Sequence, residues 1–188
     1  MMYQEIIEAE PDNTETVKKF SQKTGTALKR IEQLILSMLK IARLDTGNIL
    51  FDKRTCLIQE LVKNAISELT IRATQEKQII VNGTSNQVIM CDMDWTSEAI
   101  GNLVKNALDH TEIGGIVKIT WESAPTMIRI LVSDNGSGIA PEDIHHIFKR
   151  FYRSKYSLNT PGIGLGLPLA KIYYRGTRGA HFCSKCFT

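Results

Sequence analysis

From Val17 to Ala42 the apolar positions recur at steps of three and four. Val17, Phe20, Ala27, Ile31, Leu34, Ile35, Met38, Ile41 and Ala42 fall in one row, with Thr24 filling a gap in it. At 1.5 Å per residue, this row is one stripe of a helix about 45 Å long. Lys18, Lys29, Arg30, Glu32 and Lys40 fall on its other faces. Residues 1–9 read as the end of an earlier helix, and Glu10-Pro-Asp-Asn13 is a turn cluster between the two. Asp45-Thr-Gly47 supplies the stop. Such a stripe suits either a helix packed on its own domain or one arm of a helical hairpin that pairs with another subunit, and a long helix behind a turn and a helix stub favours the hairpin.

Beyond Gly47 the period changes. Ile49–Cys56 reads as a strand and Ile58–Gln75 as a helix with Leu61, Ala65, Ile66 and Leu69 inward. Gln78–Val81 and Gln87–Cys91 are short strands around a turn at Asn82-Gly83. Asp94–Asp109 has the helical pattern, with Ala99, Leu103, Val104 and Ala107 apolar. Ile116–Trp121 and Met127–Val132 alternate as strands, joined by a turn containing Pro125. Pro141 suits a first helical turn, and Leu165–Tyr174 is a last helix entered from a glycine-rich loop. Helices against one face of a mixed sheet make an α+β fold, a two-layer α/β sandwich preceded by the long helix.

Composition narrows the picture. The chain has 188 residues, 43% of them hydrophobic and 23% charged, as in an ordinary globular protein. A net charge of +3 gives no argument for nucleic acid. No stretch approaches the ~18 consecutive apolar residues of a membrane span, and no signal-peptide pattern opens the chain, so the expected location is cytoplasmic. Cys56, Cys91, Cys183 and Cys186 are too scattered for a secreted disulfide framework. Cys183 and Cys186 with His181 form at most half of a zinc site.

Four segments carry candidate chemistry. In Asn102-Leu-Val-Lys-Asn106 the two amides project from one helix face, and an amide oxygen suits a hard cation such as Mg2+. Asp134-Asn-Gly-Ser-Gly138 ends a hydrophobic strand. A carboxylate there can accept a hydrogen bond from an exocyclic amine, or it simply ends the strand in a turn. Phe148-Lys-Arg-Phe-Tyr-Arg153 mixes aromatic side chains with Arg150 and Arg153, which either reach a phosphate or form a solvated charge run. Gly162-Ile-Gly-Leu-Gly166 precedes a helix, where free N–H groups suit polyphosphate. Ser154–Pro161, polar and holding Lys155, reads as a mobile lid whose base Phe148, Phe151 and Tyr152 anchor.

In this order, the four segments resemble the nucleotide site of two-component sensor histidine kinases, within the wider gyrase, Hsp90, histidine kinase and MutL type of ATPase. The resemblance implies a Bergerat ATP-binding fold, ATP and Mg2+ as cofactors, and Asn106 as the metal ligand. It gives Asp134 the adenine amine, and Asn102, Asn106 and Arg150 the catalytic roles. The implied nucleotide-contacting set is Asn102, Asn106, His110, Asp134, Gly136, Gly138, Ile139, Phe148, Arg153, Gly162, Gly164, Leu165 and Gly166. One departure is Asp109, which stands where the family often has a phosphate-binding basic residue; His110 is the neighbouring substitute.

Residues 14–46, ending Ala42-Arg-Leu-Asp45, resemble the second helix of the kinases' dimerisation hairpin. The first helix of that hairpin carries the phosphorylated His in a His-acid-basic-Thr-Pro context. None of His110, His145, His146 and His181 has this context. The expected organisation is therefore a partial hairpin at 1–47 without its acceptor His, an ATP-binding domain at 48–171, and an aberrant tail at 172–188. A permitted set of codons for the tail, shifted by one base, reads Phe-Ile-Ile-Glu-Gly-Gln-Gly-Gly-His-Ile-Ser-Val-Gln-Ser. That is the helix end, Gly-Gly turn and strand the family would have, so the tail reads as a one-base frameshift near codon 172.

The resemblance implies transfer of the γ-phosphoryl of Mg-ATP to a histidine and onward to a response regulator receiver domain. The implied partners are a second copy through the hairpin, that receiver domain, and an acceptor His on a separate hairpin. The full-length kinase would be membrane-anchored with this part in the cytoplasm. The alternative is a catalytically inactive dimerisation or regulatory fragment of such a kinase. Anti-sigma-factor serine kinases and the gyrase or MutL ATPases are more distant, because the Phe-rich segment and the Arg-Leu-Asp45 helix end do not suit them.

Overall fold

A computed structural model of the chain describes residues 2–9, 11, 13–46, 49–73, 78–83, 87–124, 127–155 and 162–176. These form two compact units, Met1–Ala42 and Arg43–Thr188.

The first unit contains α1 (Met2–Ala9) and most of α2 (Thr14–Asp45). Asn13 caps α2: its Oδ1 accepts the Thr16 N–H at 3.1 Å and its carbonyl accepts Val17 N–H at 2.9 Å. The Tyr3 and Phe20 rings join the two helices with centroids 5.5 Å apart, and Lys23 Nζ lies over both rings. Leu28, Ile31, Ile35, Leu36, Met38 and Leu39 remain about half exposed along α2. No described helix is long and apolar enough to cross a membrane.

The second unit holds β1 (Arg54–Leu57), α3 (Ile58–Ala73), β2 (Gln78–Gly83), β3 (Val88–Cys91), α4 (Met93–His110), β4 (Ile116–Ala124), β5 (Met127–Asp134) and α5 (Gly166–Gly176). β1 pairs antiparallel with β3. The second sheet runs β2-β4-β5, parallel between β2 and β4 and antiparallel between β4 and β5. Along β4, Val117, Ile119 and Trp121 are buried while Lys118 is exposed, the period-two signature of a half-covered sheet. Those three join Leu61 and Val62 of α3 and Ile100, Val104, Ala107 and Leu108 of α4 in one buried cluster. This is the expected two-layer α/β arrangement.

Three local expectations change. The strand expected from Ile49 begins only at Arg54; residues 49–53 are irregular, with the Asp52 N–H held by Asp92 Oδ2 at 3.0 Å. Asn82 and Gly83 do not form a turn but end β2. Gly83 is required there by packing, because a Cβ would lie 2.0 Å from the Trp121 ring. Pro141 opens a run of turns over 141–148 instead of a helix. Its bonds include His146 N–H to Asp143 O at 2.7 Å, and Ile144 stays half exposed. The Pro125 turn, most of the expected lid (156–161), His181, Cys183, Cys186 and the expected frameshifted strand lie outside the described residues.

Candidate functional site

Helix α4 is the axis of the site. Its N-cap, Asp92, is buried and accepts two backbone donors: Trp95 N–H on Oδ1 at 3.1 Å and Asp52 N–H on Oδ2 at 3.0 Å. Ile100, Val104, Ala107 and Leu108 face the core. That leaves Asn102, Asn106 and His110, spaced four apart and all half-buried, on another stripe. The two amides therefore stand one turn apart on one side of α4, as the sequence implies.

The other predicted segments approach this helix from separate places in the chain. Residue Asp134 ends β5 opposite Val117, and its Oδ1 accepts the Gly136 N–H at 2.9 Å. Asn135 ties the same turn to β4: its Oδ1 accepts Ile116 N–H at 2.7 Å and its own N–H donates to Ile116 O at 3.3 Å. The turn then docks on the end of α4, with Ser137 N–H donating to His110 O at 3.2 Å. A Cβ on Gly136 would lie 2.2 Å from that oxygen, so only glycine fits. Gly138 sits at φ +70, and Ile139 is half-buried after it.

At the start of α5, the position of a Cβ on Gly166 lies 3.3 Å from Asn102 Oδ1. The glycine segment and the asparagine stripe are thus neighbours, with Leu165 buried between loop and helix. Gly164, at φ +74, packs its backbone against the Phe-rich segment and accepts the Phe151 N–H at 3.0 Å. Among the described residues, nothing lies within 4 Å of the position of a Cβ on Gly162. The half-buried Phe148 carries Lys171 Nζ 4.6 Å above its ring.

The arginines differ in placement. Arg153 lines a polar cavity of about 540 Å³ with Glu142, Asp143, His146, Tyr152, Ser154 and Lys155. Arg150 instead faces Asp45: its Nη2 donates to both carboxylate oxygens at 2.6 Å. Phe151, expected at the base of the lid, is half exposed.

Some residues here are not marked by the sequence motifs. Buried Asp143 accepts hydrogen bonds from Ser154 Oγ at 2.5 Å and from the Tyr152 hydroxyl. These donors, Ser154 foremost, hold its carboxyl below the usual range. Phe51, Trp95 and Tyr173 form an aromatic cluster, with Trp95 and Tyr173 stacked and Phe51 edge-on to both. Burial pushes the Tyr173 phenol up to about 12 and the Cys91 thiol up to about 11.

Comparison with known proteins matches residues 91–181 to the histidine kinase-, DNA gyrase B- and HSP90-like ATPase family. The sensor-like histidine kinase SenX3 of Mycobacterium tuberculosis is 30% identical over 170 residues, covering 89% of this chain and 42% of its own length. The sensor protein kinase PmrB of Pseudomonas aeruginosa is 36% identical over 146 residues, covering 77% of this chain and 30% of its own. The chain therefore spans well under half the length of these relatives. Among solved structures, full-length ShkA in complex with AMPPNP superposes with a TM-score of 0.73 at 24% identity, over 87% of this chain and 34% of that one. Histidine kinase ThkA in complex with response regulator TrrA superposes with a TM-score of 0.67 at 21% identity, over 81% and 46%. The segments gathered around α4 are those of this fold: residues 91–181 match the histidine kinase-, DNA gyrase B- and HSP90-like ATPase family, and over most of its length the chain is similar to sensor histidine kinases.

Proposed function

We propose that residues 48–171 bind Mg-ATP and, within a longer kinase, present its γ-phosphoryl to a histidine. The observation that carries this reading is the approach of Gly166 to Asn102, which brings a glycine-rich helix start and a polar helix stripe to one place. ATP supplies the phosphoryl group; the protein's part is positioning and charge neutralisation. Asp134 keeps its second carboxylate oxygen for the adenine amine while Oδ1 holds Gly136. Asn106 offers an amide oxygen to Mg2+, which keeps most of its waters. Gly162, Gly164, Leu165 and Gly166 offer backbone and the α5 N-terminus to the phosphates. Asn102, His110, Gly136, Gly138, Ile139, Phe148 and Arg153 complete the pocket. Arg150 serves the reaction only after leaving Asp45.

The phosphoacceptor would be a histidine on a separate hairpin, and the phosphoryl would pass on to a response regulator receiver domain. A partner regulator is supported by analogy with ThkA, which was solved with TrrA. The exposed apolar row on α2 supports pairing with a second copy.

Titration calorimetry with Mg-ATP tests the reading, followed by incubation with labelled ATP and a hairpin carrying an acceptor His. Binding that Asp134→Asn and Asn106→Ala abolish, with label on the hairpin, supports it. A chain that dimerises yet binds no Mg-ATP favours the inactive dimerisation fragment, which the α2 row alone would serve.

A further inference from the structure

Asp143 is not among the residues proposed to touch the nucleotide, yet it is buried between exposed Glu142 and exposed Ile144. A buried carboxylate is costly unless hydrogen-bonded. Both of its donors, the Tyr152 hydroxyl and Ser154 Oγ, lie just after Phe151. Phe151 has φ +63, the only positive φ at a non-glycine among the described residues. A bulky side chain pays for that left-handed backbone in steric strain, so neighbouring contacts must enforce it. The Phe151 side chain cannot enforce it by burial, since 52% of the residue is exposed.

What meets Phe151 is Gly164. The Phe151 N–H donates to Gly164 O at 3.0 Å. A Cβ on Gly164 would lie 2.6 Å from Tyr152 O and 2.9 Å from Phe151 C. Two left-handed residues, one in the aromatic segment and one in the glycine loop, are packed backbone to backbone. The path of residues 162–166 is therefore tied to the conformation at Phe151, and that conformation is braced by the two hydroxyls on Asp143.

We propose that Asp143 is a positioning residue for the phosphate loop: through Tyr152 and Ser154 it holds Phe151 left-handed, and through Phe151 it fixes Gly164. The inference rests on the ATP-site reading and adds a residue that does not touch the nucleotide. It separates the two halves of the ligand, because adenine is held by the Asp134 turn and the phosphates by the glycine loop.

The test compares Mg-ATP with adenosine, each displacing a fluorescent ATP analogue from the full chain. Asp143→Ala should weaken Mg-ATP about tenfold and leave adenosine unchanged. It should also speed hydrogen exchange at the Phe151 amide while the Gly136 amide keeps its rate. Asp143→Asn, whose amide can accept from one hydroxyl and donate to the other, should restore Mg-ATP binding to within about threefold. If Asp143→Ala fails to fold, Tyr152→Phe with Ser154→Ala removes the donors and is read on the same two ligands. Equal loss of both ligands, or loss of neither, overturns the proposal. If the unsubstituted chain binds adenosine and not Mg-ATP, the phosphate loop has no function to position and the proposal fails with it. Binding of neither ligand by the unsubstituted chain sinks the ATP-site reading itself, and this inference with it.

Discussion

Gly136 lies so close to the His110 carbonyl oxygen that a Cβ would stand 2.2 Å from it, whereas a Cβ on Gly166 would stand 3.3 Å from Asn102 Oδ1. The first obstacle is backbone at the end of a helix. The second is the tip of a side chain that can turn away.

Gly136→Ala and Gly166→Ala should therefore separate stability from ligand binding. The first forces the Asp134 turn off α4 and should cost about 1–3 kcal/mol, the range for overpacking. The second should change stability by less than about 1 kcal/mol, with alanine's helix preference offsetting the crowding. It should weaken Mg-ATP by roughly threefold to tenfold as Asn102 is displaced. Urea unfolding and titration calorimetry on both variants check this.

Asp92→Ala removes an N-cap and the anchor of the Asp52 N–H in one step. Two backbone donors lose their acceptor at a buried position, so the loss should be about 1–2 kcal/mol. Asp92→Asn keeps one good acceptor and should lose less. Thermal melts of the two variants, compared at one pH, measure the difference.

Stability should fall on the alkaline side. Burial raises the Cys91 thiol from 9.0 to about 11 and the Tyr173 phenol from 10.0 to about 12. Each group binds its proton more tightly when folded, so its contribution is complete below the unfolded value and is lost as pH rises through the folded one. Unfolding free energy should thus decline from about pH 9 to pH 12. Tyr173→Phe should flatten the upper part of that decline and Cys91→Ala the lower part.

The Arg150–Asp45 pair should contribute little to stability. Both bonds come from a single nitrogen, not from the two-nitrogen fork that makes such pairs strong, and both side chains are nearly half exposed. Asp45→Asn should change the unfolding free energy by less than about 1 kcal/mol, and less still at high salt. A larger, salt-independent loss would show that the pair is structural.

Much of the fold could be read from periodicity, because β4 and α4 each bury one face. Val117, Ile119 and Trp121 alternate as a half-covered strand must, and the α4 core row leaves Asn102 and Asn106 together on another side. Gly83 was misleading, since sequence alone does not distinguish a glycine that turns the chain from one that admits a tryptophan ring on the next strand. Asp143 could not be found by motif: its donors are 9 and 11 residues away across a series of turns. Arg150 had a plausible phosphate role by position, but only the structure shows it facing Asp45. The convergence of the four segments was legible through family resemblance, not through spacing.

The parallel pairing of β2 with β4 sets a timetable for the growing chain. Gln78 meets Ile116 and Gly83 meets Trp121, so β2 has no sheet partner until β3 and all of α4 have been synthesised. The Asp134 turn then depends on β5, which pairs on the far side of β4. A nascent chain halted before β4 would carry the asparagine helix and the β1-β3 pair but not the β2-β4-β5 sheet. The proposed nucleotide pocket is thus among the last features to form, and slow non-local pairing governs when it first exists.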